Sequence, residues 1–182
     1  EQEVPAAIIS ALGGEVFPIH RLDKNVGGCM VYARSKKAAA ALSRAVQEGQ
    51  MQKEYVALVH GVPPEQGDWQ DLLWKDSSKN KVFVVQRQRK GVKDARLEFT
   101  RLSCADPSLV RILLHTGRSH QIRVQFASRG YPLWGERKYS TRDDPCEIAL
   151  FSQKIGFFHP KTGEWMEFRH EPPSAFPWDC FQ

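Results

Sequence analysis

Asp23 follows His20-Arg21-Leu22 and stands four residues ahead of the first glycine of a Gly27-Gly28 pair. A carboxylate between a guanidinium and a flexible loop reads as a group prepared for chemistry. It also reads as an ordinary turn residue, because Asp before Lys24-Asn25 and two glycines is turn composition. Further on, Thr116-Gly117-Arg118-Ser119-His120-Gln121-Ile122-Arg123 sets a guanidinium where a strand gives way to a helix. The amides of a helix start favour anions, and Arg118 can add a forked, charge-assisted bond to a carboxylate or a phosphate. Asp23 is the obvious carboxylate partner; the alternative is that Arg118 binds nearby backbone or a surface acid. Between these segments, Lys53-Glu54-Tyr55 offers a flat ring beside a cation, an arrangement that can stack on an unpaired base. A tyrosine at the head of an apolar run is more often core.

These groups need elements to hold them. Ser35 caps an expected helix over residues 36–48, with Ala38, Leu42, Ala45 and Val46 on one face and Gly49 as the stop. The run Tyr55-Val56-Ala57-Leu58-Val59 is short, apolar and partly β-branched, which predicts a buried strand over residues 53–60, closed by Gly61 and two prolines. Strands are also expected over residues 81–86 and 95–102, joined by the basic segment 87–93 as a hairpin-like loop, and over residues 110–115. A second helix follows from Ser119 as cap to about Ser128, since Gly130 and Pro132 stop it; alternation of Ile122, Val124 and Phe126 makes a strand the competing reading. Strands at 148–151, 155–158 and 165–168 complete the pattern, the last two joined by a turn. Many strands and two helices predict an α+β domain with a mixed, mostly antiparallel sheet spanning 1–182 as one unit.

Composition narrows the function. With 182 residues, 41% hydrophobic and 26% charged, the chain can bury one core. It has no apolar run near the ~20 residues a membrane span needs. A soluble, cytoplasmic protein is expected. The four cysteines contain no C-x-x-C pair and the six histidines no one-turn pairing with a glutamate, so neither a metal nor a cofactor is expected. The excess of 26 basic over 21 acidic residues is concentrated inside the chain. Between Lys75 and Lys93 seven cations face only Asp76, and between Arg111 and Arg142 seven face only Glu136. This distribution predicts a positive surface for a polyanion such as nucleic acid, or else a solvated basic face. Trp69, Trp74 and Phe83 flank the first basic segment and are expected to be buried.

Three segments together resemble the RluA-type pseudouridine synthases: His20-Arg21-Leu22-Asp23 through Gly28, Lys53-x-Tyr55-x-Ala57-x-Val59-x-Gly61, and Leu114-x-Thr116-Gly117-Arg118-x-His120-Gln121-Ile122-Arg123. Gly130-x-Pro132, Gly135 and Tyr139, then Phe158-His159-Pro160-x-Thr162-Gly163-Glu164, continue the likeness in the same order. The resemblance implies the pseudouridine synthase fold, with an RNA cleft across a central sheet whose N-terminal strands are short or missing. It also implies isomerisation of uridine in ribosomal or transfer RNA. In that reading Asp23 is the essential catalytic residue, Arg118 holds and charge-balances it, and Tyr55 stacks on the extruded uracil. Arg21, Lys53, His120, Gln121 and Arg123 are the expected RNA contacts. The alternative is a noncatalytic RNA-binding domain that keeps the cleft. Three departures stand out, Val26-Gly27-Gly28, Gly135-Glu136 and Leu150-Phe151, none of which is expected to touch Asp23, Tyr55 or Arg118.

Overall fold

The computed structural model describes residues 3–181. Helix α1 (Glu3–Leu12) leads into three two-residue strands, β1 (Phe17–Pro18), β2 (Gly27–Gly28) and β3 (Tyr32–Ala33), and then α2 (Lys36–Gln47). After these come β4 (Gln52–Val59), β5 (Gln66–Asp76), β6 (Lys81–Val85), β7 (Val92–Arg101) and β8 (Ser108–Leu114). Helix α3 (Gln121–Ala127), β9 (Leu150–Phe158), β10 (Trp165–Arg169) and a 3-10 turn (Trp178–Phe181) complete the order. Among the described residues the main sheet has eight strands, running β10-β9-β4-β8-β7-β5-β6 with β2 added beside β9. All pairs are antiparallel except β2 on β9. The mixed, mostly antiparallel α+β architecture is the expected one.

The two anticipated helices form, for partly different reasons. Ser35 caps α2 as expected, its Oγ accepting the Ala38 N–H at 3.2 Å. In α3 the cap is His120, not Ser119. His120 stands in the left-handed region at φ +50 and makes no side-chain capping bond, while the Ser119 hydroxyl faces the Lys75 ammonium at 3.4 Å.

The sheet differs from expectation in its longest strands. β5 was not anticipated, because Gln66 to Asp76 is poor in β-branched residues and its polar members mask the alternation. It lies between β6 and β7, so residues 86–91 link two strands that are not neighbours. The two strands expected around 148–158 are one. Ser152 and Gln153 look like a break but are buried in β9, where Ser152 Oγ donates to the Cys29 carbonyl and Gln153 donates to the Glu171 carboxylate. A polar residue inside a strand is tolerated when its hydrogen bonds are met.

One core lies between the sheet and α3, where Ile122 and Phe126 pack on Tyr55, Leu97, Phe99 and Ile112. Phe126 is fully buried. A second core joins α2 to β3 and β9 through Leu42, Ala33, Met51 and Ile155. On the sheet face away from α3, Val56 and Leu58 pack with Phe151 and Trp178.

Candidate active site

The loop carrying Asp23 is tied at both ends. β1 pairs with β3, and the Ile19 N–H donates to the Val31 carbonyl at 3.1 Å. His20 Nε2 accepts the Val31 N–H at 3.1 Å across the loop. Burial, then the nearby Lys53 charge, push the His20 imidazole down to about 4, so it stays neutral and able to accept that bond. Around Asp23 the chain turns tightly: the Val26 N–H donates to the Asp23 carbonyl, and Asn25 takes a positive φ. Leu22 and Val26, partly buried, pack against the main core on either side of it.

Gly27 and Gly28 then dock on β9. A Cβ at Gly28 would lie 2.2 Å from the Ser152 carbonyl oxygen, and φ is +117, so backbone approach and conformation both demand glycine there. Val26-Gly27-Gly28 is thus the hinge of attachment for the Asp23 loop. It was not expected to touch Asp23, but the Val26 N–H bonds the Asp23 carbonyl at 3.1 Å.

The guanidinium on Asp23 belongs to Arg123, not Arg118. Arg123 Nη1 donates to Asp23 Oδ2 at 3.2 Å, while its Nε and Nη2 donate to the two oxygens of Glu136 at 2.7 and 2.8 Å. Glu136 is fully buried and also accepts the N–H groups of Lys138 and Tyr139. Burial raises the Glu136 carboxyl, but the hydrogen bonds and charge of Arg123 and the two amides overcome it and hold it below its ordinary range. Arg118 instead donates from Nε to the Asp94 carbonyl at 2.7 Å. The reason is position: Arg118 precedes the left-handed kink at His120, whereas Arg123 lies within α3. Glu136, seen in the sequence only as a departure, is one hydrogen-bonded step from Asp23.

Tyr55 is 6% exposed and packs with Leu114, Ile122 and Leu150. Burial, partly opposed by a hydrogen bond with Ser152 and reinforced by the Asp23 charge, pushes its phenol up to about 12. It is both a core residue and a neighbour of Asp23, so the two readings open in the sequence are not exclusive. His120 Nδ1 lies 2.7 Å from the Tyr139 hydroxyl, which accepts the Val82 N–H at 2.8 Å. The His120 imidazole is lowered by burial against the opposing pull of Asp23.

The remaining expected contacts divide. Arg21 is exposed. Lys53 is 8% exposed, and burial followed by the Arg118 charge lowers its ammonium. Gln121 is buried and both ends of its amide are engaged, by Thr116, the Arg118 N–H and the Arg96 carbonyl. It braces the turn into α3 and is only 3% exposed.

The pattern describing RNA pseudouridylate synthases matches residues 9–128, which include Asp23, Tyr55 and Arg123. The chain belongs to the RNA pseudouridylate synthase family. It is 35% identical over 181 residues to an uncharacterized RNA pseudouridine synthase of Aquifex aeolicus, covering 92% of this chain and 57% of that protein. The dual-specificity RNA pseudouridine synthase RluA of Vibrio parahaemolyticus is 30% identical, with 90% of this chain and 68% of that protein covered. The synthase fold recurs in human RNA pseudouridylate synthase domain containing 1, at a TM-score of 0.78 and 23% identity, over 92% of this chain and 73% of that one. The chain spans little more than half the length of the Aquifex relative. Among the described residues no helix of this synthase-family chain is long and apolar enough to cross a membrane.

Proposed function

We propose that the chain isomerises uridine to pseudouridine in RNA, with Asp23 as the reacting carboxylate. The observation that carries this reading is the Asp23–Arg123–Glu136 arrangement beside Tyr55. Asp23 is partly open to solvent, at 26%, while the guanidinium that orients it is itself fixed by a carboxylate with no exposure. A charge held in this way keeps its geometry when substrate enters, because Arg123 has no freedom to follow it.

In the reaction the N1–C1′ bond breaks, the uracil turns, and C5 bonds to C1′. The C5 proton leaves and N1 gains one, so substrate and product have the same atoms. An ionised Asp23 serves either as nucleophile at C1′ or as base at C2′. Arg123 orients it. Tyr55, neutral across the physiological range, lines the place of the extruded uracil and offers a phenolic proton. Arg21 and His120 stand where an RNA backbone enters, and the basic stretches offset the few kcal/mol that extrusion of a nucleotide costs. The proposed substrates are structured ribosomal or transfer RNAs of the cytoplasm.

The test is to incubate the chain with uridine-containing transcripts of both kinds and map pseudouridine. Product from the wild type and none from Asp23→Asn is expected. Equal product from the two, or none from the wild type on any RNA while it still binds RNA, would overturn the reading in favour of a noncatalytic RNA-binding domain.

A further inference from the structure

Phe83 does not share the burial expected of it, and its neighbour Trp74 is only half-buried. They are direct cross-strand partners on β5 and β6, with ring centroids 6.0 Å apart and planes inclined by 30°. Phe83 is 36% exposed. Their neighbours Leu73 and Val82 point the other way, into the core beside Val124 of α3. Successive strand residues alternate faces, so Trp74 and Phe83 lie on the side of the sheet away from α3. Trp69, by contrast, is packed between Phe99 and Phe126.

Two cations reach the pair, Arg89 at Trp74 and Lys81 at Phe83. The Arg89 guanidinium lies 4.9 Å over the Trp74 ring. Lys79, Arg87 and Lys90 are exposed nearby in sequence, and among the described residues none of them is ion-paired to a carboxylate. Asp76, the lone acid of the stretch, spends Oδ1 on the Ser78 and Lys79 N–H groups and the Ser78 hydroxyl.

A chain of contacts connects this patch with Asp23. Lys81 sits at the edge of β6 with its Nζ 5.9 Å from the Phe83 centroid and 5.5 Å from that of Tyr139. Arg123, the partner of Asp23, lies 5.6 Å from the same Tyr139 ring. Lys138 Nζ also donates to the Asn80 carbonyl at the β5–β6 turn, fastening the site loop to this edge.

We propose that Phe83 and Trp74 form a stacking subsite for unpaired bases of the RNA strand flanking the target nucleotide, with Lys81 guiding the backbone around the β6 edge. The proposal rests on the reading that the chain acts on RNA. An exposed Phe83 ring beside half-buried Trp74, set among cations, suits a base and its phosphate together, since each base presents a π-face and each phosphate a charge.

The test measures binding of the full chain to a labelled single-stranded oligouridylate and to an abasic oligonucleotide of the same length, each across a salt series. Phe83→Ala is expected to weaken oligouridylate binding about ten-fold with the salt slope unchanged, and to leave abasic binding unaltered. Phe83→Tyr should restore affinity. Lys81→Gln should instead flatten the salt slope by about one unit. Unchanged oligouridylate affinity in Phe83→Ala, or the same loss on the abasic strand, overturns the subsite, as does tighter binding of a polyglutamate peptide than of oligouridylate. Pseudouridine formation by the wild type separates the outcomes: a failed Phe83 effect with product formed removes only the subsite. A Phe83 effect without product leaves the subsite standing and removes only the catalytic reading.

Discussion

Asp23 and Arg123 lie 100 residues apart in the chain and 3.2 Å apart in space. Each of the three guanidinium nitrogens of Arg123 is committed, one to Asp23 and two to Glu136. Arg123→Lys therefore loses the fork and cannot serve both carboxylates at once. We expect pseudouridine formation to fall at least a hundred-fold, about 3 kcal/mol of transition-state stabilisation, with RNA affinity little changed. Arg118→Ala, which removes one bond to the Asp94 carbonyl, should cost only about 1 kcal/mol of stability and reduce turnover far less. Comparison of kcat for the two variants on one RNA checks the assignment; the reverse ranking would return Arg118 to the role expected from sequence.

Glu136 touches no reacting atom, so its effect must pass through Arg123. Glu136→Gln leaves the guanidinium in a buried place with one of its two countercharges removed, a change of the kind that costs about 3–5 kcal/mol when a buried pair is broken. The thermal midpoint should drop and kcat should fall while KM for RNA stays near the wild-type value. Glu136→Asp, which keeps the charge on a shorter arm, should recover much of the midpoint and part of kcat. Equal losses of midpoint and kcat in both variants, with no recovery in Glu136→Asp, would point to general unfolding instead.

Gly28 and Gly27 make a matched pair of tests for how the Asp23 loop is held. At Gly28 an added Cβ meets Ser152 backbone at 2.2 Å, which β9 cannot yield, whereas at Gly27 it meets the Phe151 ring at 3.1 Å, which can shift. Gly28→Ala should detach the loop and reduce turnover at least ten-fold, with a stability loss on the order of 1–3 kcal/mol. Gly27→Ala should be mild on both counts. Hydrogen exchange at the Cys29 amide, which bonds the Ser152 carbonyl at 2.8 Å, reports the detachment directly.

His20 predicts a pH dependence. Its folded value lies near 4, below the ordinary 6.5, so between these limits the unfolded chain binds more protons than the folded one. Stability conferred by the neutral ring is therefore complete above about pH 6.5 and declines as pH falls toward 4. Urea midpoints of the wild type and His20→Asn across this window should converge on the acid side. Parallel curves would show that His20 does not titrate with folding.

The sequence by itself determined the local elements whose signals are contiguous: α2 with its Ser35 cap, the apolar run of β4, β8, the helix after Thr116-Gly117 and the acid at Asp23. The ordered motifs around those elements also determined the family. Tertiary structure decided which guanidinium reaches Asp23, because a left-handed residue at His120 separates the directions of Arg118 and Arg123, and no spacing rule anticipates that kink. It decided that β5 lies between β6 and β7, that polar Ser152 and Gln153 continue a strand, and that Phe83 faces outward. Each of these depends on partners far away in the chain. A hydrogen bond to Cys29, a neighbour in the sheet or a buried counterion settles the fate of a residue whose own neighbours in sequence leave it open.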